Sequence, residues 1–189
     1  MGKERNSEFY NGRFKVGGGN GKYFRDARNL EYYPSWKKAY DFIKEKEIKK
    51  IIDFGCGPGH FPSLFKNEDE IIYYGYDFSN VAIEQAKERC KNISGISFNV
   101  MDLREYECKE NDNFYVAFEF LEHISFDLEL IGKLSKGDQI LFSVPNFDSP
   151  GHVRWYTSDK QIIDRFGGLL NLTKVARFGG IYLYHGIKK

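Results

Sequence analysis

The stretch Asp53-Phe54-Gly55-Cys56-Gly57-Pro58-Gly59, with the carboxylate of Asp77 further along, is the part of this sequence best suited to chemistry. A glycine turn that follows a strand and opens a helix lets backbone approach a ligand closely at the carboxyl edge of a sheet. No Gly-Lys-Ser/Thr follows it, which excludes a Walker phosphate loop, and the Gly-x-Gly-x-Gly spacing differs from the Gly-x-Gly-x-x-Gly that cradles a pyrophosphate. Asp53 at the turn's entrance repels an anion and favours a ligand bearing positive charge. Asp77 closes the next strand about twenty residues past the turn, where an acid can accept both hydroxyls of a ribose. Each has a plainer reading: Asp53 and Asp77 as helix caps, Asp102 as a turn residue. A second group is His123, in Phe118-Glu119-Phe120-Leu121-Glu122-His123-Ile124, and His152, in the loop Val144-Pro145-Asn146-Phe147-Asp148-Ser149-Pro150-Gly151-His152. An imidazole that titrates near neutrality is the natural general base for a hydroxyl proton.

These groups need a frame, and the chain supplies an alternating one. Ile51–Phe54, Ile71–Tyr76, Ile96–Met101, Phe114–Phe118 and Ile140–Val144 read as buried strands. Between them come a short helix around Pro62 to Phe65, a helix from a Ser79 N-cap to about Cys90, and a helix after Leu121. A helix over 34–46 leads in, and one from about Ser158 to Phe166 leads out to two apolar runs around Gly179-Gly180, which predict a hairpin. The fold class expected is α/β: a Rossmann-like, mostly parallel sheet with an antiparallel C-terminal edge and helices on both faces. Residues 1–33 are polar and carry Gly17-Gly18-Gly19-Asn20-Gly21, so they read as a mobile arm without regular structure, and 34–189 as a single domain. The arm, through Tyr23, Phe24, Tyr32 and Tyr33, is expected to fold over the site as a lid.

From about Ile51 to the C-terminus the sequence resembles the class I S-adenosylmethionine (SAM) dependent methyltransferases. The likeness is carried by the glycine-turn segment, by Gly75-Tyr76-Asp77-Phe78-Ser79 and by Asn99-Val100-Met101-Asp102. It implies a seven-stranded sheet. It also implies that Asp53, Gly55, Cys56, Gly57, Pro58 and Gly59 line the methionine part of SAM, that Asp77 holds the ribose and Phe78 packs on adenine, and that Asp102 and Leu103 meet the adenine edge. Glu119, just past the fourth strand, joins the cofactor set. The Leu-Glu-His and Pro-Asn segments resemble those of ubiquinone-pathway and other small-molecule O-methyltransferases, which implies transfer to a hydroxyl oxygen with His123, His152 and Glu122 as catalytic residues. Glu119, Glu122 and His123, with His152, also resemble the magnesium site of small-RNA 2′-O-methyltransferases. A helix starting at Glu119 would bring the first three onto one face. Magnesium prefers oxygen ligands, however, so the expected set holds no metal, with Mg2+ as the less favoured alternative.

Bulk properties narrow the partners. The 189 residues suit one compact domain, and 28 Lys plus Arg against 27 Asp plus Glu gives a net charge of +1, with no general attraction to nucleic acid. The three cysteines, Cys56, Cys90 and Cys108, have no paired spacing and fit a reducing cytoplasm. No apolar run suggests a membrane span or an export signal. The expectation is a cytoplasmic monomer or homodimer acting on a small-molecule acceptor, with no membrane partner. The alternatives are a metal-assisted RNA 2′-O-methyltransferase, which would need a basic stripe, and a non-catalytic SAM-binding protein. His60 is read as bordering the cofactor or as a surface residue, His185 as structural, and Trp155 as packed against the next helix.

Overall fold

The computed structural model describes residues 2–108, 111 and 113–189; residue 1 of the expected arm lies outside them. The chain divides into two compact units, Asn6–Leu103 and Met1–Arg5 together with Arg104–Lys189. Its seven strands, β1 (Lys50–Phe54), β2 (Ile72–Asp77), β3 (Ile96–Val100), β4 (Phe114–Phe118), β5 (Gln139–Pro145), β6 (Leu170–Phe178) and β7 (Ile181–Lys188), form one mixed sheet in the order β3-β2-β1-β4-β5-β7-β6, which is the fold class expected.

In the unit Asn6–Leu103, β1 (Lys50–Phe54), β2 (Ile72–Asp77) and β3 (Ile96–Val100) run parallel, with Asp53 beside Gly75 and Asp77 beside Val100. Helix α3 (Asn80–Cys90) starts at Ser79, whose hydroxyl accepts from the Ala82 N–H at 3.1 Å. That bond satisfies one of the four donors a helix leaves open at its start. Its inward positions are Ala82, Ile83, Ala86 and Cys90, all buried. Helix α2 (Tyr33–Glu45) carries Pro34 in its first turn, as its spacing predicts, and buries Trp36, Ala39 and Ile43. Pro62–Phe65 forms a 3-10 turn.

The first thirty residues differ from expectation. Ser7–Lys15 is a helix, α1, capped by Asn6, whose side chain accepts from the Phe9 N–H at 3.1 Å. Gly17 and Gly18 end it with φ of 74° and 68°, and the Gly18 N–H returns to the Arg13 carbonyl at 2.7 Å. The glycine run that argued against structure is a helix stop, the usual use of a residue free to enter left-handed backbone. Phe14 gives α1 its buried anchor, against Tyr23 at 4.8 Å between centroids.

In the other unit, β4 (Phe114–Phe118) pairs parallel with β5 (Gln139–Pro145), and all five β4 residues are buried. The hairpin of β6 (Leu170–Phe178) and β7 (Ile181–Lys188) adds antiparallel edges through β5–β7 and β7–β6, with a register shift between Lys174 and Ala176. Helix α5 (Asp159–Phe166) begins at Ser158 as expected. The helix expected straight after Leu121 begins only at Asp127, as α4 (Asp127–Gly132). Among the described residues no helix is long and apolar enough to cross a membrane.

Candidate functional site

The glycine turn at the end of β1 is held by the acid at the end of β2. Asp77 Oδ2 accepts from the Gly57 N–H at 3.0 Å and Oδ1 from the Ser79 N–H at 2.9 Å, while the Tyr76 carbonyl takes the Gly55 and Cys56 N–H groups at 2.8 and 3.0 Å. Asp77 is thus not the helix cap of the plainer reading, a place that Ser79 takes; it holds the N–H of that cap residue and the turn. Each of its oxygens still keeps lone-pair capacity for a further donor such as a ribose hydroxyl. Gly55, Gly57 and Gly59 have φ of 75°, 51° and 75°. Their reasons differ. A Cβ on Gly59 would stand 2.9 Å from the Ala86 Cα, so that glycine lets the turn lie against α3, whereas a Cβ on Gly57 meets nothing closer than Phe14 at 4.0 Å. Gly57 therefore leaves open space beside its backbone.

Asp53 is buried, and the Tyr73 hydroxyl donates to it. Desolvation, opposed by that bond and reinforced by the charge of Asp77, pushes its carboxyl up to about 7. Burial likewise raises Asp77 to about 6 against the two N–H bonds it accepts. Two desolvated carboxylates make a place that gains from a positive charge, and the ammonium and sulfonium of SAM fit that requirement. Cys56 and Pro58 are buried, and the Pro58 carbonyl accepts from Arg89. Leu103 is buried and opens a 3-10 turn, while Asp102 just before it is half-buried.

Sequence reasoning missed the contribution of α1. Tyr10 lies 5.5 Å from Phe78 between ring centroids, and Asn11 Oδ1 accepts from the Ser79 hydroxyl at 2.6 Å. The Asn6 cap and the Gly17-Gly18 stop bracket this helix and were the available signal. His60 is neither exposed nor catalytic in setting: it stacks on Trp36, has Nε2 3.2 Å from the Arg25 carbonyl, and burial lowers its pKa to about 3. Of the residues expected to form a lid, Tyr23 packs on Phe14 and Tyr32 on Trp36, whereas Phe24 is exposed.

The second constellation follows β4 and β5. Glu119 leaves β4 with φ of 50°, its N–H donating to the Ser143 hydroxyl and its carboxylate accepting from that hydroxyl, both at 2.9 Å. This left-handed residue turns the chain out of helix, so the helical spacing expected for Glu119, Glu122 and His123 does not arise. Tertiary folding nevertheless brings Glu122, His123 and His152 together, with ligand atoms all within 4.8 Å of one another. The two imidazole centroids are 4.7 Å apart, and His123 Nε2 is 3.9 Å from Glu122 Oε1. His123 Nδ1 lies 3.0 Å from the Gly151 carbonyl and His152 Nδ1 3.2 Å from that of Phe147. A carbonyl accepts only, so each Nδ1 carries a proton. Burial lowers the His152 pKa, which keeps that ring neutral. Glu122 is fully buried with neither carboxyl oxygen hydrogen-bonded, and burial, then the nearby charge of Glu119, raise its pKa well above the usual range. Ser143 was also missed; a lone hydroxyl in the apolar run Ile140–Val144 was its signal.

The loop that bears this cluster is clamped. Arg154 Nη1 donates to the carbonyls of Leu121 and Ile124 at 2.8 and 2.6 Å and pairs with buried Asp127 at 3.1 Å, which Arg165 holds from 2.6 Å. Arg154 is thus engaged by the protein rather than offered to an acidic ligand. Trp155, expected to pack, is 37% exposed, and His185 is structural as expected, bonded to Gln139 at 2.9 Å.

Residues 45–183 match the family model described as "Methyltransferase domain". Among curated relatives, trans-aconitate 2-methyltransferase of Mycolicibacterium gilvum is 29% identical over 135 residues, covering 68% of this chain and 49% of that protein. Carboxy-S-adenosyl-L-methionine synthase of Helicobacter pylori is 28% identical over 134 residues, covering 63% and 55%. The chain thus spans about half the length of the curated relatives it matches. Among solved structures, the N-methyltransferase NodS from Bradyrhizobium japonicum superposes with a TM-score of 0.73 at 16% identity, covering 97% of this chain and 99% of that one. Magnesium protoporphyrin IX methyltransferase from Synechocystis gives 0.67 at 14% identity, covering 97% and 95%. Strand order, glycine turn and family match agree, and the chain belongs to the methyltransferase-domain family, with the class I SAM-dependent fold.

Proposed function

We propose that this protein transfers a methyl group from SAM to an oxygen of a small-molecule acceptor. The observation that carries the reading is the glycine turn clasped by Asp77, together with the family match over residues 45–183. When bound, SAM supplies a methyl group already activated by a sulfonium. Asp53 favours its positive charge, Asp77 receives ribose hydroxyls, the Gly57 backbone lies alongside, and Phe78 offers a face to adenine. Cysteine, lysine or serine nucleophiles are unnecessary, because holding the reactants in line contributes most of the acceleration. Hydroxyl acceptors must lose a proton, and we assign that step to His152, whose ring burial keeps neutral, with His123 beside it. The new O–C bond forms with the acceptor's electron pair, the C–S pair returns to sulfur, and the proton goes to imidazole. Oxygen as the acceptor atom rests on this histidine pair and on the likeness of the two short segments to those of ubiquinone-pathway enzymes.

Titration calorimetry with SAM and its demethylated product, followed by turnover with a panel of hydroxylated small molecules, tests the proposal. His152→Ala should leave product affinity intact and lower kcat by about 10²–10⁴-fold, the usual contribution of a general base. No heat with either SAM species, alongside tight binding of NADH, would refute the reading.

A second reading has its own observation: Glu122, His123 and His152 converge within 4.8 Å, with both Glu122 oxygens unpartnered. A divalent cation held there would lower the pKa of an acceptor hydroxyl. One carboxylate and two imidazoles suit a first-row transition metal better than magnesium. Loss of turnover on chelation, restored by Mn2+ or Co2+, would favour this reading, and turnover indifferent to chelator would dismiss it.

A further inference from the structure

Residues 2–5 are the most instructive part of the unit that contains the histidine cluster. Three donors converge on the single carboxylate of Glu4: the Ser125 N–H at 2.9 Å and the Ser125 hydroxyl at 2.5 Å reach Oε2, and the Arg104 guanidinium reaches Oε1. Arg104 lies over the Phe126 ring, 4.6 Å from its centroid, which restricts where its fork can point. Ser125 belongs to the loop that Arg154 clamps at Leu121 and Ile124, and it is two positions past His123. The seat is therefore carried on restrained backbone. Two residues upstream of Glu4, Gly2 lies against the backbone of the other histidine: a Cβ there would stand 2.0 Å from the His152 carbonyl oxygen. Two residues of chain reach at most about 7 Å, so the arm bridges directly from His152 to the Ser125 seat.

We propose that the Ser125–Arg104 seat is the carboxylate-recognition subsite for the acceptor, and that Glu4 is an internal stand-in for that carboxylate. This rests on the methyl-transfer reading above and adds the substrate class: a small organic acid that carries a carboxylate besides the oxygen that is methylated. A backbone N–H, a hydroxyl and a guanidinium on one carboxylate are the donor set that recognises such a group. Glu4 is mostly covered, but the Arg104 side chain is 54% exposed, and an ion pair with one partner open to solvent is screened and contributes little. The arm is thus a competitor that a free acid displaces. A tethered competitor lowers apparent affinity by the fraction of molecules whose seat is open.

The test uses the full chain saturated with the demethylated product of SAM, titrated by calorimetry with succinate and citrate, with succinamide as the neutral control. If Glu4 fills the seat nine-tenths of the time, Glu4→Gln tightens succinate binding about tenfold, and deletion of residues 2–5 does the same. Arg104→Ala and Ser125→Ala in the Glu4→Gln background abolish that gain, and succinamide binds no variant. Equal succinate affinity in wild type, Glu4→Gln and the deletion, or a gain that survives Arg104→Ala, overturns the inference. Saturation with the SAM product is measured in the same samples: intact product binding with no carboxylate response sinks this inference alone, whereas absent product binding sinks the reading beneath it. The deletion variant keeps the test decisive if Glu4→Gln disturbs the fold, as judged by its thermal unfolding.

Discussion

Asp53→Asn should make the cofactor-free protein more stable at alkaline pH while weakening its hold on SAM. Burial pushes the Asp53 carboxyl from an ordinary 3.8 to about 7. A folded-state pKa above the unfolded value means that the fold prefers the protonated acid. The resulting stability is fully present below pH 3.8 and is lost as pH rises through 7. The variant has no charge to desolvate, and its amide oxygen still accepts from Tyr73. Wild type should therefore lose about 2.5 kcal/mol relative to Asp53→Asn between about pH 5 and 8, at about 1.36 kcal/mol per pKa unit. For a chain of this size that is a divergence of about 5–10 °C in Tm. Urea denaturation of both proteins at intervals across that range measures it, and product calorimetry should show affinity about 10–100-fold weaker in the variant, the worth of a lost charged contact. Parallel stability–pH curves for the two proteins would refute the reasoning, because they would mean that Asp53 is ionised in the fold without penalty.

Two further outcomes follow from packing. Asp127→Ala leaves two guanidinium groups facing a vacated buried carboxylate position, and should cost about 3–5 kcal/mol in urea unfolding, with turnover falling further than product affinity because Arg154 then loosens the Leu121–Ile124 loop. Gly59→Ala combines left-handed strain with a Cβ 2.9 Å from the Ala86 Cα; it should destabilise by about 2–5 kcal/mol, whereas Gly57→Ala, with only the strain, should cost about 1–2 kcal/mol and show itself mainly as weakened product binding in calorimetry.

The alternation of apolar runs and turn residues was enough to determine the parallel strands, the Ser79 and Ser158 helix starts and the terminal hairpin. The reason is that buried strands and caps are written in local residue types. The glycine turn and its acid were legible for the same reason: Asp53, Gly55, Gly57, Gly59 and Asp77 lie at the ends of two adjacent strands, and their spacing is a property of the chain. The α1 helix was hidden because its caps are weak signals and one aromatic, Phe14, supplies its burial. What only the tertiary structure decided is the histidine site. Helical spacing predicted that Glu119, Glu122 and His123 would share a face, yet Glu119 takes a left-handed turn that its bonds to Ser143 on the neighbouring strand support. The cluster forms instead because parallel pairing of β4 with β5 delivers the loop bearing His152 to the loop bearing Glu122 and His123. Contacts between residues about thirty positions apart are set by sheet pairing and loop clamps, and no local pattern encodes them.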